Sequence, residues 1–175
     1  MERRQPLPRL WLMTDERQGD GLFGAIARLP EGAGIVFRHY SLPKVARRDL
    51  FDRVKAAAPG PVLLAGPAGE ARAWGADGSH GRGPGRGLRS ASVHGLVEIR
   101  IAESHGAALL FLSPAFATAS HPDARPLGLA RFAWLARRTD LPVIALGGMN
   151  EARGRRLASF GAYGWAGIDA WANQG

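Results

Sequence analysis

Two short apolar runs, separated by a polar loop and a helical pattern, do most to constrain the fold of this chain. The runs Ala-Leu-Leu-Phe-Leu (108–112) and Val-Ile-Ala-Leu (143–146) show no alternation of polar and apolar residues. Between them, apolar residues recur at three- and four-residue spacing over 129–138. Runs without alternation are typical of parallel strands that are buried on both faces. The order predicts a strand–helix–strand unit with its functional residues in the loops that follow the strands.

The same alternation of strand and helix patterns continues along the chain. Strands are predicted near residues 10–14, 34–38, 61–65, 76–80, 88–92, 107–112, 142–146 and 162–166, and helices over 22–29, 45–58, 96–104, 129–138 and 152–160. One domain of alternating elements, spanning residues 1–175, is therefore predicted to be of the α/β class and to form a compact (β/α)8 barrel.

The length of the chain requires one connection of this barrel to be shortened. Such barrels usually need about 250 residues and rarely fewer than about 200, whereas this chain has 175. Residues 81–87 read Gly-Arg-Gly-Pro-Gly-Arg-Gly, and glycine at alternate positions around a proline is incompatible with a helix. The fourth helix of the barrel is therefore predicted to be reduced.

Composition limits the classes of function. The chain has no cysteine, which excludes disulfides, thiolate metal sites and cysteine nucleophiles. No apolar run approaches the ~20 residues that cross a bilayer, and residues 2–6 lack the apolar stretch of a signal peptide, so a cytoplasmic protein without a membrane partner is predicted. The formal net charge of +8, from 21 arginines and two lysines, suits anionic ligands or nucleic acid. Arginine pairs on the outer faces of helices make nucleic acid the less favoured interpretation.

Residues 112–149 carry the resemblance to a known family. They read LSPAFATASHPDARPLGLARFAWLARRTDLPVIALGGM and resemble the region of thiamine phosphate synthases and the related thiazole tautomerases that reads roughly G-x-V-F-x-T-x-(T/S)-K, then a helix opened by glycine, then P-V-x-A-I-G-G-I. Weaker similarity extends over nearly the whole chain, at 10–15 (Y-x-V-T-D), 35–38 (Q-x-R), 75–80 (D-G-x-H-L), 88–94 (G-x-S-x-H) and 161–170 (G-x-x-G-x-A-V-x-S). The resemblance implies a (β/α)8 barrel that couples hydroxymethylpyrimidine diphosphate with thiazole phosphate to give thiamine phosphate and pyrophosphate.

Four residues are predicted to hold the diphosphate. Arg38, at the end of the second strand, would direct a permanently charged guanidinium either at a pyrophosphate oxygen or into an ion pair inside the barrel. Its match to the arginine of Q-x-R favours the ligand. The resemblance implies the same role for Thr118 and Ser120, and for His121, which stands where the family has lysine and is a cation only when protonated.

Adjacent glycines directly after a buried strand serve either a strained turn or the close approach of amides to a phosphate. The resemblance implies the second, with the thiazole phosphate held by Gly147 and Gly148 after strand seven and by Gly167 and Ile168 after strand eight. Asp169 stands where a serine is usual. A carboxylate beside a phosphate is repulsive unless it is protonated, turned away or paired with an arginine.

The resemblance implies Mg²⁺ as a cofactor, but the usual ligands are absent. The family takes carboxylates from an N-D pair after strand three and from an acid that follows H-L-G-Q after strand four, where this chain reads Ala-Gly-Pro (65–67) and His-Gly-Arg-Gly-Pro-Gly (80–85). No metal ligand is therefore predicted. Asp15 is a possible substitute, and arginines within 82–86 are another source of positive charge.

Two functions stay open. One is a transferase of the thiamine phosphate synthase type, and the other is a non-catalytic or regulatory barrel that binds a phosphorylated or thiamine-related ligand. The histidine of the tautomerases falls here on Pro114, which leaves His80 and His94 as either acid–base groups or hydrogen-bonded structural residues. Small phosphorylated molecules are the predicted partners. Trp165 and Trp171 would contact a second copy of the chain in a homo-oligomer, or else pack on the barrel.

Overall fold

The computed structural model describes residues 6–118 and 124–171, and these form a closed parallel barrel in which each strand pairs with the next and the last pairs with the first. The strands are β1 (Leu10–Met13), β2 (Gly34–Phe37), β3 (Val62–Ala65), β4 (Gly78–His80), β5 (Leu88–Val93), β6 (Leu109–Leu112), β7 (Val143–Leu146) and β8 (Gly164–Gly167). The predicted (β/α)8 fold class is confirmed, and the ends of each strand lie within two residues of the predicted ones.

Helices lie outside the barrel. They are α1 (Gly21–Ala27), α2 (Lys44–Ala57), α3 (Ala68–Ala73), α4 (Leu96–Ser104), α5 (Gly128–Ala136) and α6 (Glu151–Ala158), with a 3₁₀ turn at Glu16–Gln18. Helix α3 was not predicted because it has six residues and buries only Ala71, too little for a repeating apolar face. The connection from β4 to β5 contains no helix, as the glycines of 81–87 require.

Burial on both faces explains why the strands lack alternation. One set of buried side chains fills the barrel interior, where Trp11 of β1 meets Phe111 of β6 edge to face with ring centroids 5.6 Å apart. The intervening residues of the same strands, such as Leu12, Leu110 and Leu112, pack outward in the clusters that include helix residues. Most strand residues are therefore apolar whichever way they point, while β4 and β5 also carry the buried polar side chains of Ser79, His80, Arg89 and Ser90.

Trp11 also explains a glycine in β2. A Cβ atom on Gly34 would lie 2.4 Å from the Trp11 ring, so the indole occupies the volume that a side chain at this position would need.

In the described ranges no helix is long and apolar enough to cross a membrane.

Candidate functional site

A cavity of about 320 Å³ opens at the carboxyl edge of the barrel, between the segments that follow β6, β7 and β8. Five of the eight predicted site residues line it, namely Thr118, Gly147, Gly148, Gly167 and Ile168. Ser120 and His121 lie outside the described residues, and Arg38 lies elsewhere at the barrel mouth. The topology thus brings together side chains and backbone from three predicted loops.

The glycines after β7 allow two loops to touch. Gly147 and Gly148 have φ angles of 96° and 60°, the region that glycine adopts without steric cost. A Cβ atom on Gly148 would lie 2.2 Å from the carbonyl oxygen of Ala117, and one on Gly147 would lie 2.9 Å from Cα of Pro114. The backbone N–H of Phe116 donates to the carbonyl of Gly147 at 3.1 Å. This contact between loops forms one wall of the cavity, and it explains on structural grounds why glycine stands at both positions.

The residues that line the cavity offer backbone amides and the polar side chains of Thr118, Asn150 and Asp169. The N–H groups of Gly148 and Ile168 have no backbone acceptor among the described residues. Asn150, which also lines the cavity, precedes helix α6, and its side chain accepts a hydrogen bond from the N–H of Arg153 at 2.9 Å. Amides without a backbone acceptor among the described residues favour an anion, and so does a helix amino terminus. The cavity is therefore suited to a phosphate group.

Arg38 takes part in the ion pair that was one of its two predicted roles. Its Nη2 lies 2.8 Å from Oδ2 of Asp15, and its Nε donates to the carbonyl of Thr14 at 2.7 Å. Burial would raise the pKa of Asp15, but hydrogen bonds from Arg17 and the charges of Arg38 and Arg17 outweigh it, so the pKa is lowered. Asp15 is ionised at neutral pH as a result. Contact of Arg38 with a ligand stays a prediction.

The 3₁₀ turn after β1 joins this ion pair to the end of β8. Nε2 of Gln18 donates to the carbonyl of Ile168 at 2.8 Å, and Nε of Arg17 lies 2.7 Å from Oδ1 of Asp15. The hydrogen bond to Asp15, opposed by burial and aided by the charges of Asp15 and Asp169, raises the pKa of Arg17. Sequence reasoning missed Arg17 and Gln18, because only the closed barrel brings the first loop beside the last.

The described residues do not bring candidate Mg²⁺ ligands together in one cluster. They contain no group of three or more histidine, aspartate or glutamate side chains that could hold a metal. Asp15, the suggested substitute ligand, is occupied by Arg17 and Arg38. Asp77 pairs with Lys55 at 2.8 Å and accepts a hydrogen bond from the N–H of Val62, which is a structural role at the opposite end of β3.

The two candidate histidines do not line the cavity. His80 points into the barrel, where its Nδ1 and Nε2 lie 2.9 and 3.0 Å from the hydroxyls of Ser90 and Ser92. Burial, and secondarily the charge of Arg38, lowers the pKa of His80 to about 4, so the ring is neutral at physiological pH. His94 is half-exposed and pairs with Glu98 at 2.9 Å. Both fit the structural interpretation.

The arginine at the start of the glycine-rich loop faces away from the cavity. Nη2 of Arg82 lies 3.3 Å from Oε1 of Glu98 in α4, and the carbonyl of Arg82 lies 2.6 Å from Nδ1 of His105 at the end of that helix. These contacts hold Arg82 against the outer helix, so the hypothesis that it replaces a metal at the mouth is not supported.

The rings of Trp165 and Trp171 stack on each other with their centroids 4.9 Å apart. This arrangement accords with packing on the barrel.

Comparison with known proteins gives a consistent picture. Residues 88–171 match the family model described as thiamine monophosphate synthase. The chain is 42% identical over 77 residues to a putative thiamine-phosphate synthase 2 of Aquifex aeolicus and 36% identical over 87 residues to the thiamine-phosphate synthase of Chloroflexus aurantiacus. The matched segments cover 44% and 49% of this chain, but only 41% and 40% of those relatives.

Similarity in three dimensions extends further than similarity in sequence. The structure of thiamine phosphate pyrophosphorylase from Pyrococcus furiosus superposes with a TM-score of 0.75. The superposition covers 96% of this chain and 89% of that one at 23% sequence identity. At this level of identity the likeness concerns the fold.

Proposed function

We propose that this chain is a member of the thiamine monophosphate synthase family, whose model matches residues 88–171, and that it couples hydroxymethylpyrimidine diphosphate with thiazole phosphate. The products are thiamine phosphate and pyrophosphate. The single observation that best supports this proposal is the cavity in which Thr118, Gly148 and Ile168 meet from three different loops. The chain spans about two fifths of the length of its curated relatives, so the activity is argued from this site.

In the proposed reaction, the bond between the pyrimidine methylene carbon and the diphosphate oxygen breaks, and pyrophosphate leaves with the electron pair. The thiazole nitrogen then donates its lone pair to the methylene carbon, which forms the new carbon–nitrogen bond. No protein nucleophile takes part. The contribution of the protein is to position the two substrates and to stabilise the charge that develops on the leaving group.

Each substrate has its own set of groups in this proposal. The amides of Gly148 and Ile168 hold the thiazole phosphate, because they line the cavity and have no backbone acceptor among the described residues. Thr118 and Arg38, with Ser120 and His121 as the remaining predicted residues, hold the diphosphate. Since the described carboxylates do not form a metal site, we assign no step to Mg²⁺.

A coupling assay tests the proposal. Purified protein is incubated with both substrates, once with Mg²⁺ and once with a chelator, and thiamine phosphate is measured by mass. We expect product, and we expect Thr118→Val to lower kcat/KM about tenfold through loss of one hydroxyl contact. Thr139→Val is the matched control, because the Thr139 hydroxyl bonds Glu103 at the end of α4, away from the cavity.

One alternative is the barrel that binds a phosphorylated or thiamine-related ligand without turnover, and it is favoured by the ion pairs of Asp15, the suggested substitute metal ligand, with Arg17 and Arg38. Titration calorimetry with thiazole phosphate separates the two functions. Binding that is weakened by Gly148→Ala, with no product under either condition, would support the non-catalytic barrel and refute the synthase activity. Absence of binding by the unmodified protein would refute the synthase activity and any role of the cavity as a thiazole phosphate site.

A further inference from the structure

We propose that Arg153 is a positioning residue for both substrates, because its side chain joins the loop after β6 to the loop after β7. The inference rests on the proposed function, since these loops carry Thr118 and Gly148. It assigns a role to an exposed arginine of α6 that stands outside the set of residues lining the cavity.

The guanidinium of Arg153 contacts both loops at once. Its Nη1 donates to the carbonyl of Gly148, which follows β7. Its central carbon lies 4.7 Å from the ring centroid of Phe116, which follows β6. A cation over an aromatic ring at this distance is attracted to it. The three residues Phe116, Gly148 and Arg153 therefore form a bridge between the two loops.

The start of α6 places Arg153 at the required position. The side chain of Asn150 caps this helix and accepts from the backbone N–H of Arg153 at 2.9 Å, so Arg153 belongs to the first helical turn. Side chains of an α-helix point towards its amino terminus, and here that terminus directly follows Gly148. Asn150 also lines the cavity, so the helix end that carries the bridge is part of the cavity wall.

The loop after β7 has few other restraints at Gly148. Gly147 and Gly148 have positive φ angles, and glycine restricts its own backbone less than any other residue. The carbonyl of Gly147 accepts from the N–H of Phe116 at 3.1 Å, whereas Gly148 makes no backbone–backbone hydrogen bond within the described residues. The hydrogen bond from Arg153 thus supplies the restraint that the backbone does not.

A role in positioning has a signature that direct contact does not have. In the proposed function Thr118, two residues after Phe116, contacts the diphosphate, and the amide of Gly148 contacts the thiazole phosphate. A residue that touches one substrate affects the affinity for that substrate. Because the bridge holds both loops, its loss should weaken the binding of both substrates.

A double-mutant cycle tests the bridge. Hydroxymethylpyrimidine diphosphate and thiazole phosphate are each titrated by calorimetry into the unmodified protein, Arg153→Gln, Phe116→Leu and the double variant. We expect each single substitution to weaken both affinities about fivefold, and the double variant to lose no more than either single one. Phe116→Leu changes no charge, so equal losses separate positioning from electrostatic attraction.

Arg138→Gln is the matched control, because it removes a contact of the same kind in another place. The guanidinium carbon of Arg138 lies 3.9 Å from the ring centroid of Trp134, and both residues line a separate groove at α5. This substitution removes one positive charge and one cation–ring contact, and it should leave both affinities unchanged.

Hydrogen exchange gives a second readout that needs no ligand. The N–H of residue 116 donates to the carbonyl of Gly147, so separation of the two loops exposes it to solvent. We expect its exchange to be about fivefold faster in Arg153→Gln and unchanged in Arg138→Gln. In the coupling assay Arg153→Gln should raise KM for both substrates and leave kcat within about twofold. A general loss of folded protein would instead lower kcat and leave KM unchanged.

Several outcomes would overturn the inference. A loss for Arg153→Gln without a loss for Phe116→Leu, or a loss confined to thiazole phosphate, would make Arg153 a direct phosphate contact. Unchanged exchange at residue 116, or faster exchange with unchanged affinities, would show that the bridge does not position the site. If the unmodified protein binds both substrates and the variants bind them equally well, this inference fails while the proposed function stands. Absence of binding by the unmodified protein would refute the synthase activity and this inference together.

Discussion

Gly148 and Ala117 approach each other so closely that a Cβ atom on Gly148 would lie 2.2 Å from the carbonyl oxygen of Ala117. The contact joins the loop after β7 to the loop after β6, and both loops line the same cavity. Phe116, next to Ala117, is further fixed by Arg153, whose guanidinium carbon lies 4.7 Å from the Phe116 ring centroid while its Nη1 donates to the carbonyl of Gly148. The shape of the cavity therefore depends on a glycine at position 148.

The substitution Gly148→Ala should both destabilise the protein and weaken phosphate binding. Alanine at a φ of 60° costs about 1–2 kcal/mol, and the clash with a backbone atom forces the two loops apart at further cost. We expect a loss of at least about 2 kcal/mol in the free energy of unfolding, measured in urea, and at least a tenfold weaker calorimetric affinity for thiazole phosphate.

Gly32 provides the matched control for this substitution. Its φ is 76°, but nothing lies within 4 Å of a Cβ atom placed on it, and it belongs to the turn before β2, at the opposite end of the barrel. Gly32→Ala should cost about 1 kcal/mol of stability and leave the affinity unchanged. Equal effects of the two substitutions on affinity would show that the loop contact does not shape the phosphate site.

The barrel and the cavity could be predicted because their determinants are local in the sequence. Four-residue runs such as Leu109–Leu112 are apolar at every position because both of their faces are buried, and this pattern predicted β6 and β7 to within two residues. Once parallel strands alternate with helices, the loops that follow the strands must meet at one edge. The convergence of Thr118, Gly148 and Ile168 therefore follows from topology alone.

The charge pairing at the barrel mouth could not be predicted in the same way. Asp15 and Arg38 are 23 residues apart, and the sequence does not indicate whether an arginine at a strand end meets a ligand or a carboxylate. The bond from Gln18 to Ile168 spans 150 residues and exists only because β8 pairs with β1. Helix α3 was missed although it is local in the sequence, because six residues are too few to show the apolar periodicity of a helix.

Replacement of Arg38 should affect ligand binding more than stability. Nε and Nη2 of Arg38 hold Thr14 and Asp15, and a lysine can satisfy only one of these contacts. We expect both Arg38→Lys and Arg38→Gln to weaken binding of hydroxymethylpyrimidine diphosphate about tenfold, measured by calorimetry. Arg131→Gln, at an exposed position of α5, removes the same charge elsewhere. An equal loss with Arg131→Gln would mean that overall charge, and not this ion pair, determines affinity.

The loop of residues 81–87 should be dispensable for charge stabilisation at the mouth. Arg82 is largely exposed and pairs with Glu98 of the outer helix, so Arg82→Gln should change stability by less than about 1 kcal/mol and kcat/KM by less than about twofold. Steady-state kinetics with varied pyrimidine diphosphate is the measurement. A tenfold loss confined to this substrate would show that the loop reaches the diphosphate in solution.

Protonation of His80 should destabilise the barrel in mildly acidic solution. Burial lowers the pKa of His80 from 6.5 to about 4, so between these pH values the unfolded chain binds a proton that the folded chain does not. Neutral His80 therefore makes its full contribution to the free energy of unfolding above about pH 6.5. This contribution, up to about 3 kcal/mol, is lost as the pH falls towards 4. Burial also lowers the pKa of His39, so His39 makes the free energy of unfolding fall with pH in the same direction. The variant His80→Gln separates the effect of His80 from that of His39. Urea unfolding across this range should show a shallower pH dependence for His80→Gln than for the unmodified protein. The titration of His80 can also be followed directly, from its imidazole NMR signal in the unmodified protein. A titration midpoint near 6.5 would contradict the buried, neutral state that the bonds of His80 to Ser90 and Ser92 indicate.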